Sequence, residues 1–241
     1  MMRQLFLFWY VVGLILMLTI GVPAPLAFSN GLFLVFYAMY AVSLEQGLRE
    51  RTPLSWGRIA FVGLSTFGVE WLSVTTGWPF GEYNYTPVLG FLLGGVPVTI
   101  ACAWVGVFLN GMLLSKGDNR WVRALQTGLF TVTLDLVLDP VAYARGFWLW
   151  EEGGAYFGIP ATNFISWFMI SAALSLLFPV REITHAVRRE SARLGQLMLL
   201  MFGVLGMKEG LYVPMLIAVA AAAVLEGVVI RYHHIAKEQV V

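Results

Sequence analysis

Charged residues are scarce in this sequence, and the shortage indicates its class. Asp, Glu, Lys and Arg make up 12% of the 241 residues, whereas hydrophobic residues make up 59%. Soluble domains carry about 25% charged residues, so the composition excludes an ordinary soluble domain and predicts an integral membrane protein. The 15 basic residues nearly balance the 14 acidic ones, but so few charges do not bear on nucleic-acid binding. We expect no nucleic-acid partner.

Cysteine, histidine and lysine are also rare, and their positions exclude several kinds of site. Cys102 is the single cysteine, which excludes an intramolecular disulfide and a cysteine-based metal cage. The histidines and lysines lie outside the apolar runs, which argues against histidine-ligated iron or haem and against a retinal-type Schiff base. Neither a dinucleotide-binding glycine motif nor a phosphate loop is present, so we expect no cofactor and no metal. The residues concerned are His185, His233, His234, Lys116, Lys208 and Lys237.

Eight apolar runs approach or exceed the length of about 20 residues that a transmembrane helix needs. The run at 193–207 is the weakest, so seven spans are the alternative. The predicted fold is all-α, a polytopic membrane protein with a helical bundle of about eight transmembrane helices. We expect a single domain over residues 1–241 with a functional core at about 57–180. The runs cover residues 4–22, 26–48, 57–76, 88–115, 122–143, 162–180, 193–207 and 211–230.

The distribution of Lys and Arg favours eight spans with both termini in the cytoplasm. Cationic residues concentrate in cytoplasmic loops, and with eight spans only Arg145 and Lys208 fall outside. Seven spans would move Arg231 and Lys237 to the outer side. We therefore expect a multi-pass protein of the cell membrane, with a solvated interfacial helix over 181–193. The cytoplasmic set is Arg3, Arg49, Arg51, Arg58, Lys116, Arg120, Arg123, Arg181, Arg188, Arg189, Arg193, Arg231 and Lys237.

Three carboxyl residues lie inside predicted spans. Asp135 and Asp139 are one helical turn apart, and Glu70 lies in the outer half of the third span. A carboxylate in hydrocarbon costs at least a few kcal/mol, so we expect these groups to face the bundle interior. Thr127 and Thr131 continue the aspartate stripe at intervals of four, on one helix face. A purely structural role, with the carboxyls bonded to neighbouring helix ends, is the alternative.

Two predicted outer loops, at residues 77–87 and 146–160, alternate aromatic residues with glycine, proline and acids such as Glu151 and Glu152. Aromatic belts explain isolated rings at an interface, but this mixture predicts loops that fold back over a cavity. Glu70 precedes Gly77 by the spacing at which Asp139 precedes Gly146, which suggests a duplicated helix–loop–helix unit. The candidate substrate-binding residues, from these loops and adjoining spans, are Trp78, Phe80, Glu82, Tyr83, Tyr85, Trp104, Asn110, Trp148, Trp150, Tyr156, Asn163 and Trp167.

Two kinds of function remain after these exclusions: acid–base catalysis without a cofactor, and transport. A carboxyl that keeps its proton at neutral pH can donate it even to an alkene. Aromatic rings stabilise the resulting cation by roughly 0.5–2 kcal/mol each. An acid, an aromatic wall and water together are typical of a hydratase or a cyclase.

Three strings carry a resemblance to a known family. They are PFGEYNY at 79–85, LDPVA at 138–142 and YFGIP at 156–160, and Trp104, Asn163 and Trp167 accompany them. Over about residues 70–167 the chain resembles the carotenoid 1,2-hydratase family of integral membrane proteins. The resemblance implies hydration of the terminal C1,2 double bond of an acyclic carotenoid end group, which gives a tertiary alcohol.

The implied partners are water, the lipid bilayer and a carotenoid such as lycopene, γ-carotene or a C50 precursor. Protonation at C-2 gives a tertiary cation at C-1, which water captures. From chemistry and placement, Asp135 or Asp139 is the candidate catalytic acid. The other aspartate, with Glu70, is the candidate for positioning and deprotonating water. The glycines that would let a polyene run between spans are Gly90, Gly94, Gly95 and Gly106.

Three other functions are compatible with the same residues. A carotenoid end-group cyclase or isomerase shares the protonation step but loses a proton instead of capturing water. A proton-coupled transporter would use Asp135, Asp139 and Glu70 as a relay, and only Thr127 and Thr131 continue such a path. A non-catalytic carotenoid-binding or assembly protein is the third.

Overall fold

Eight α-helices make up most of the chain that the computed structural model describes. It describes residues 1–48, 54–115, 119–151 and 153–238, with residue 54 and residues 231–238 by their backbone alone. Each of the eight predicted apolar runs overlaps one helix, and the all-α class is confirmed. The helices are α1 (Met2–Leu18), α2 (Phe28–Gln46), α3 (Leu54–Thr76), α4 (Ile100–Leu114), α5 (Arg120–Ala144), α6 (Ala161–Ser175), α7 (His185–Lys208) and α8 (Tyr212–Glu238). Arg49, Arg51, Lys116 and Glu152, on which the sequence analysis drew, lie outside the described residues.

Several helices are suited to a bilayer by length and composition. Within the described residues, four segments are long and apolar enough to cross it: Ala24–Gln46, Ser55–Thr76, Arg120–Ala144 and Tyr212–Ile230. The helices α1, α4 and α6 are shorter and apolar. The polytopic membrane fold is confirmed, whereas the cytoplasmic termini and the single domain over residues 1–241 stay predictions.

The fourth helix is shorter than predicted. The apolar run at 88–115 suggested one helix, but α4 begins at Ile100, after a 3-10 turn and a hairpin. Gly94 and Gly95 turn this hairpin at φ angles of +60° and +87°, which glycine adopts without strain and which a helix excludes. Hydrophobicity alone does not separate such a hairpin from a helix. The strands of the structure are β1 (Tyr83–Tyr85), β2 (Leu92–Leu93), β3 (Val96–Pro97) and β4 (Trp148–Trp150).

The seventh helix joins two segments that were predicted to be separate. It is continuous from His185 to Lys208, and the hydroxyl of Thr184 caps it by accepting the amide of Val187 at 3.4 Å. Arg188 is 6% exposed, and its Nη1 donates to the Leu114 carbonyl at 3.3 Å. The helix predicted over 181–193 therefore begins at His185 and continues into the bundle, with Arg188 bonded to the carbonyl end of α4.

Helix α5 lies at the centre of the bundle, where it packs against α4, α6, α7 and α8. This position explains how an apolar bundle holds the polar stripe, whose four members are all buried. Just beyond the C-terminal end of α5, strands β1 and β4 pair antiparallel. We call this pair of strands the ribbon. It covers the end of the bundle at which the carboxyl residues lie.

Candidate active site

Three buried carboxyl groups line one cavity beneath the ribbon. Glu70 comes from α3, and Asp135 and Asp139 come from one face of α5. Each residue is only 2–3% exposed. Helix spacing places the two aspartates together, and the packing of α3 and α5 under the ribbon adds Glu70. The structure thus brings together the three residues that were the candidate catalytic groups.

The ribbon points four aromatic rings toward this cavity. Its register pairs Tyr83 with Trp150 and Tyr85 with Trp148. Residues two apart in a strand share a face, so all four rings lie on the inner face. The ring centroids of Tyr83 and Trp150 are 4.8 Å apart, and those of Tyr85 and Trp148 are 5.7 Å apart. The intervening Leu149 is half exposed on the other face.

Glu70 accepts three hydrogen bonds inside this arrangement. Its Oε2 accepts the hydroxyls of Tyr83 and Tyr85, the latter at 2.9 Å, and its Oε1 accepts Nε1 of Trp104 at 2.7 Å. Burial, followed by the charge of Glu70, raises the pKa of Tyr83 and Tyr85 well above the usual range of a phenol. Both phenols therefore keep their protons and donate. Three donors on one buried carboxyl match the needs of an ionised carboxylate.

The two aspartates have unequal surroundings. Oδ1 of Asp139 accepts the indole nitrogens of Trp148 at 2.5 Å and Trp150 at 3.3 Å. Nδ2 of Asn163 donates to Oδ2 of both aspartates, at 2.8 Å to Asp139 and 2.9 Å to Asp135. Asp139 thus accepts three hydrogen bonds, whereas Asp135 accepts one from the described part of the chain. The carboxyl of Asp135 is the less stabilised of the two as an anion.

The two carboxyl units are built alike. Each is a helix that carries a carboxyl, followed by a strand whose two inward aromatics donate to that same carboxyl. The following helix then adds a donor, Trp104 from α4 to Glu70 and Asn163 from α6 to Asp139. Trp104 also stacks on Trp167 of α6, with centroids 3.7 Å apart and ring planes 14° apart. A duplicated origin of these units stays a prediction.

The cavity extends away from the carboxyls between α1, α2 and α7. The space free of protein atoms amounts to about 1150 Å³, counted out to its open mouth. This part of the wall is mostly apolar and aromatic, with Tyr10, Phe33 and Phe202 among its members. It lies outside the predicted functional core of 57–180. Apolar ligands bind in clefts of this composition, with a few polar groups that fix orientation.

Comparison with known proteins identifies the family. Residues 29–229 match the sequence model of a family described as "Carotenoid biosynthesis protein". The chain belongs to this carotenoid biosynthesis family. The resemblance found in the sequence is thereby confirmed at the level of the family.

One curated relative of the chain is named as a hydratase. The chain is 34% identical over 165 residues to the bisanhydrobacterioruberin hydratase of Haloarcula japonica. The alignment covers 65% of this chain and 56% of that protein, so the chain spans little more than half of the relative's length. No solved structure matches the chain.

Most of the predicted binding residues line the cavity, but four do not. Trp78 is 69% exposed, and Glu82 lies in a polar surface groove with Asn84 and Glu151. Because both side chains are directed to the surface, the structure does not place them at the site. The lining residues among those predicted are Phe80, Tyr83, Tyr85, Trp104, Trp148, Trp150, Asn163 and Trp167.

The other two lie near the site without reaching it. The Tyr156 hydroxyl donates to the Leu136 carbonyl at 2.8 Å, and burial raises its pKa to about 12. Asn110 donates to the carbonyl of Ser191 at 2.7 Å and so connects α4 to α7. The hydroxyl of Tyr156 and the amide nitrogen of Asn110 each donate to backbone outside the cavity.

Two of the four glycines predicted to line a polyene route, Gly94 and Gly106, are closed by aromatic rings. A Cβ at Gly106 would lie 2.4 Å from Cδ1 of Tyr37, and one at Gly94 would lie 2.7 Å from the Trp71 ring. These glycines permit close packing rather than a passage, as is common in membrane helices. The sequence analysis missed the wall from α1, α2 and α7, because apolar side chains that face lipid and those that face a cavity look alike in sequence.

Proposed function

We propose that the protein is a carotenoid hydratase of the cell membrane, which adds water to the terminal C1,2 double bond of an acyclic end group. One observation carries the proposal: three buried carboxyls surround one end of an apolar cavity in a member of a carotenoid biosynthesis family. The hydratase relative supports hydration as the reaction. Lycopene, γ-carotene and C50 precursors are the substrates to test.

Asp135 is the proposed proton donor. It accepts a single hydrogen bond from the described residues, whereas Asp139 and Glu70 each accept three. An aspartate with few donors holds its proton more firmly than one with many. The π electrons of the alkene take this proton, a C–H bond forms at C-2, and Asp135 is left as a carboxylate. The positive charge then lies on the tertiary carbon C-1.

The surroundings stabilise this cation without moving. The carboxylates of Asp139 and Glu70 lie in a region of low dielectric, where their attraction for a cation is large. The π faces of the ribbon aromatics add roughly 0.5–2 kcal/mol each. Indole and phenol groups bonded to the carboxylates hold these rings in place. Charge stabilisation therefore needs no reorganisation during the reaction.

Water completes the reaction at C-1. Its oxygen forms the C–O bond, and one of its protons passes first to the carboxylate of Asp139. Asn163 lies between Asp139 and Asp135 and donates to both, so the two groups are close enough to exchange the proton through water. Asp135 regains its proton and the product is a tertiary alcohol. Alkene and water are consumed in equal amounts.

Expression in bacteria that make lycopene, γ-carotene or bisanhydrobacterioruberin tests the proposal. We expect a product heavier by one water in at least one strain, detected by mass spectrometry of extracted pigments. Asp135→Asn and Asp139→Asn are expected to abolish it while still accumulating in the membrane. Glu82→Gln is the matched control, because it makes the same change outside the cavity, and it should retain activity. An unchanged mass with a shifted absorption spectrum would contradict hydration and indicate cyclisation.

A further inference from the structure

The cavity has a second part that the hydration chemistry does not use. We call it the apolar arm: the section between α1, α2 and α7, lined among others by Tyr10, Gly13, Met17, Phe33, Met201 and Phe202. Its lining residues on α1 run from Trp9 to Met17, which is about 12 Å along the helix axis. The arm and the three carboxyls belong to one continuous cavity.

Helix α1 is fixed to its neighbours at both ends of the arm. Trp9 Nε1 donates to the Ser29 carbonyl at 3.1 Å, and the Tyr10 hydroxyl donates to the Leu197 carbonyl at 3.0 Å. At the other end, Lys208 Nζ donates to the Met17 carbonyl at 2.9 Å. These bonds hold α1 as a wall while leaving a space behind it.

Gly13 lies in the middle of that wall. A Cβ at Gly13 would meet nothing within 4 Å, although the residue lines the cavity. At Gly106 and Gly94, by contrast, aromatic rings occupy the space that a Cβ would need. Because Gly13 lines the cavity, the open space beside it belongs to the arm.

Two polar side chains along the arm are bonded to the protein itself. Asn30 donates to the Val88 carbonyl at 3.2 Å, and Arg145 pairs with Glu209 at 2.8 Å. Aromatic and thioether side chains make up much of the remaining surface. The ligand that such a surface favours is a long unsaturated hydrocarbon, which contacts rings and sulfur along its length.

We infer that the apolar arm binds the conjugated chain of the carotenoid whose end group lies at Asp135 and Asp139, with Gly13 as the position that admits the chain. This inference rests on the proposed function. Helix α1 lies outside residues 29–229, which the family model matches, so the family match assigns no role to it. The arm makes α1 part of the substrate site.

The test compares Gly13→Phe with Gly68→Phe in lycopene-producing bacteria. Gly68 also has nothing within 4 Å of a Cβ, but it lies on α3 away from the cavity. We expect Gly13→Phe to lower the carotenoid that copurifies per protein, and the hydrated fraction, by about tenfold or more, as a loss of about 1.4 kcal/mol in binding implies. Gly68→Phe should match the unmodified protein in both. Equal pigment in the two variants would overturn the inference.

Pigment binding separates this inference from the proposed function. Asp135→Asn should lose hydration yet keep copurified pigment, because it leaves the arm intact. If the unmodified protein binds pigment without hydrating it, the proposed function fails while the dependence on Gly13 still tests the arm. Should Gly13→Phe not accumulate, Gly13→Ala and Gly13→Leu replace it. Bound pigment is then expected to fall as the side chain grows, and an unchanged amount in Gly13→Leu would contradict the arm.

Discussion

The bond between Tyr83 and Glu70 allows the charge of the buried carboxyl to be tested through stability. Tyr83→Phe removes one hydroxyl and nothing else, and Tyr83 is only 4% exposed. A hydrogen bond to a charged group contributes about 1.5–3 kcal/mol, whereas an interhelical hydrogen bond between neutral groups in a membrane averages about 0.6 kcal/mol. The measured loss therefore reports whether Glu70 is a carboxylate.

A charged Glu70 predicts a clear fall in melting temperature. For a chain of this size, 1 kcal/mol corresponds to roughly 2–4 °C, so we expect Tyr83→Phe to lower Tm by about 3–12 °C. A neutral Glu70 predicts about 1–2 °C. The assay is thermal unfolding of purified protein in detergent at one fixed heating rate. Tyr212→Phe is the matched control, since Tyr212 is 67% exposed, and it should change Tm by less than about 1 °C.

The same prediction has a sharper form in a double-mutant cycle. Tyr83 and Tyr85 donate to the same oxygen of Glu70, so their losses should not be additive, and the double Phe variant should lose more than the sum. In a Glu70→Leu background both hydroxyls lack their acceptor, and a buried hydroxyl without a partner is costly. Tyr83→Phe should then be neutral or stabilising. A destabilisation of equal size in both backgrounds would refute the reasoning.

Two further predictions separate the site from the scaffold. Asn163→Leu removes the donor shared by Asp135 and Asp139, so hydration per accumulated protein should fall about 100-fold. Asn110→Leu, an equal change outside the cavity, should lower Tm but leave hydration within about twofold; equal loss of hydration in both would contradict the assignment. Gly106→Leu forces a side chain into the Tyr37 ring and should cost about 1–3 kcal/mol or more in stability, measured as a lower Tm. An unchanged Tm there would contradict the close packing.

The helices and the aspartate pair could be predicted from the sequence for energetic reasons. A bilayer demands long apolar helices, so the eight apolar runs corresponded to eight helices, even though the ends shifted. Asp135 and Asp139 were conspicuous because a carboxyl inside an apolar run is expensive unless it is held by partners. The hydrogen-bond partners of the two aspartates were harder to predict. Asn163 bonds the pair, whereas Asn110 bonds Ser191, and nothing in the two local sequences distinguishes these buried amides.

Failures of the sequence analysis concern features that only packing decides. The hairpin before α4 is as apolar as a helix. Its glycines mark a turn by their positive φ angles, which composition does not show. Arg188 looked solvated because charged residues usually are, yet it bonds the end of α4. The wall from α1 was missed because apolar side chains that face lipid and those that face a cavity look alike in sequence.

The ribbon joins the two carboxyl units. Because Tyr83 pairs with Trp150 and Tyr85 with Trp148, every donor to Glu70 from β1 is in contact with a donor to Asp139 from β4. A shift of one carboxyl would therefore displace the rings that hold the other. In the proposed mechanism, such coupling holds both carboxyls in place before substrate arrives, and fixed charges stabilise a cation without the cost of reorganisation. Asp135 accepts no hydrogen bond from the ribbon among the described residues, which suits the proton donor of that proposal.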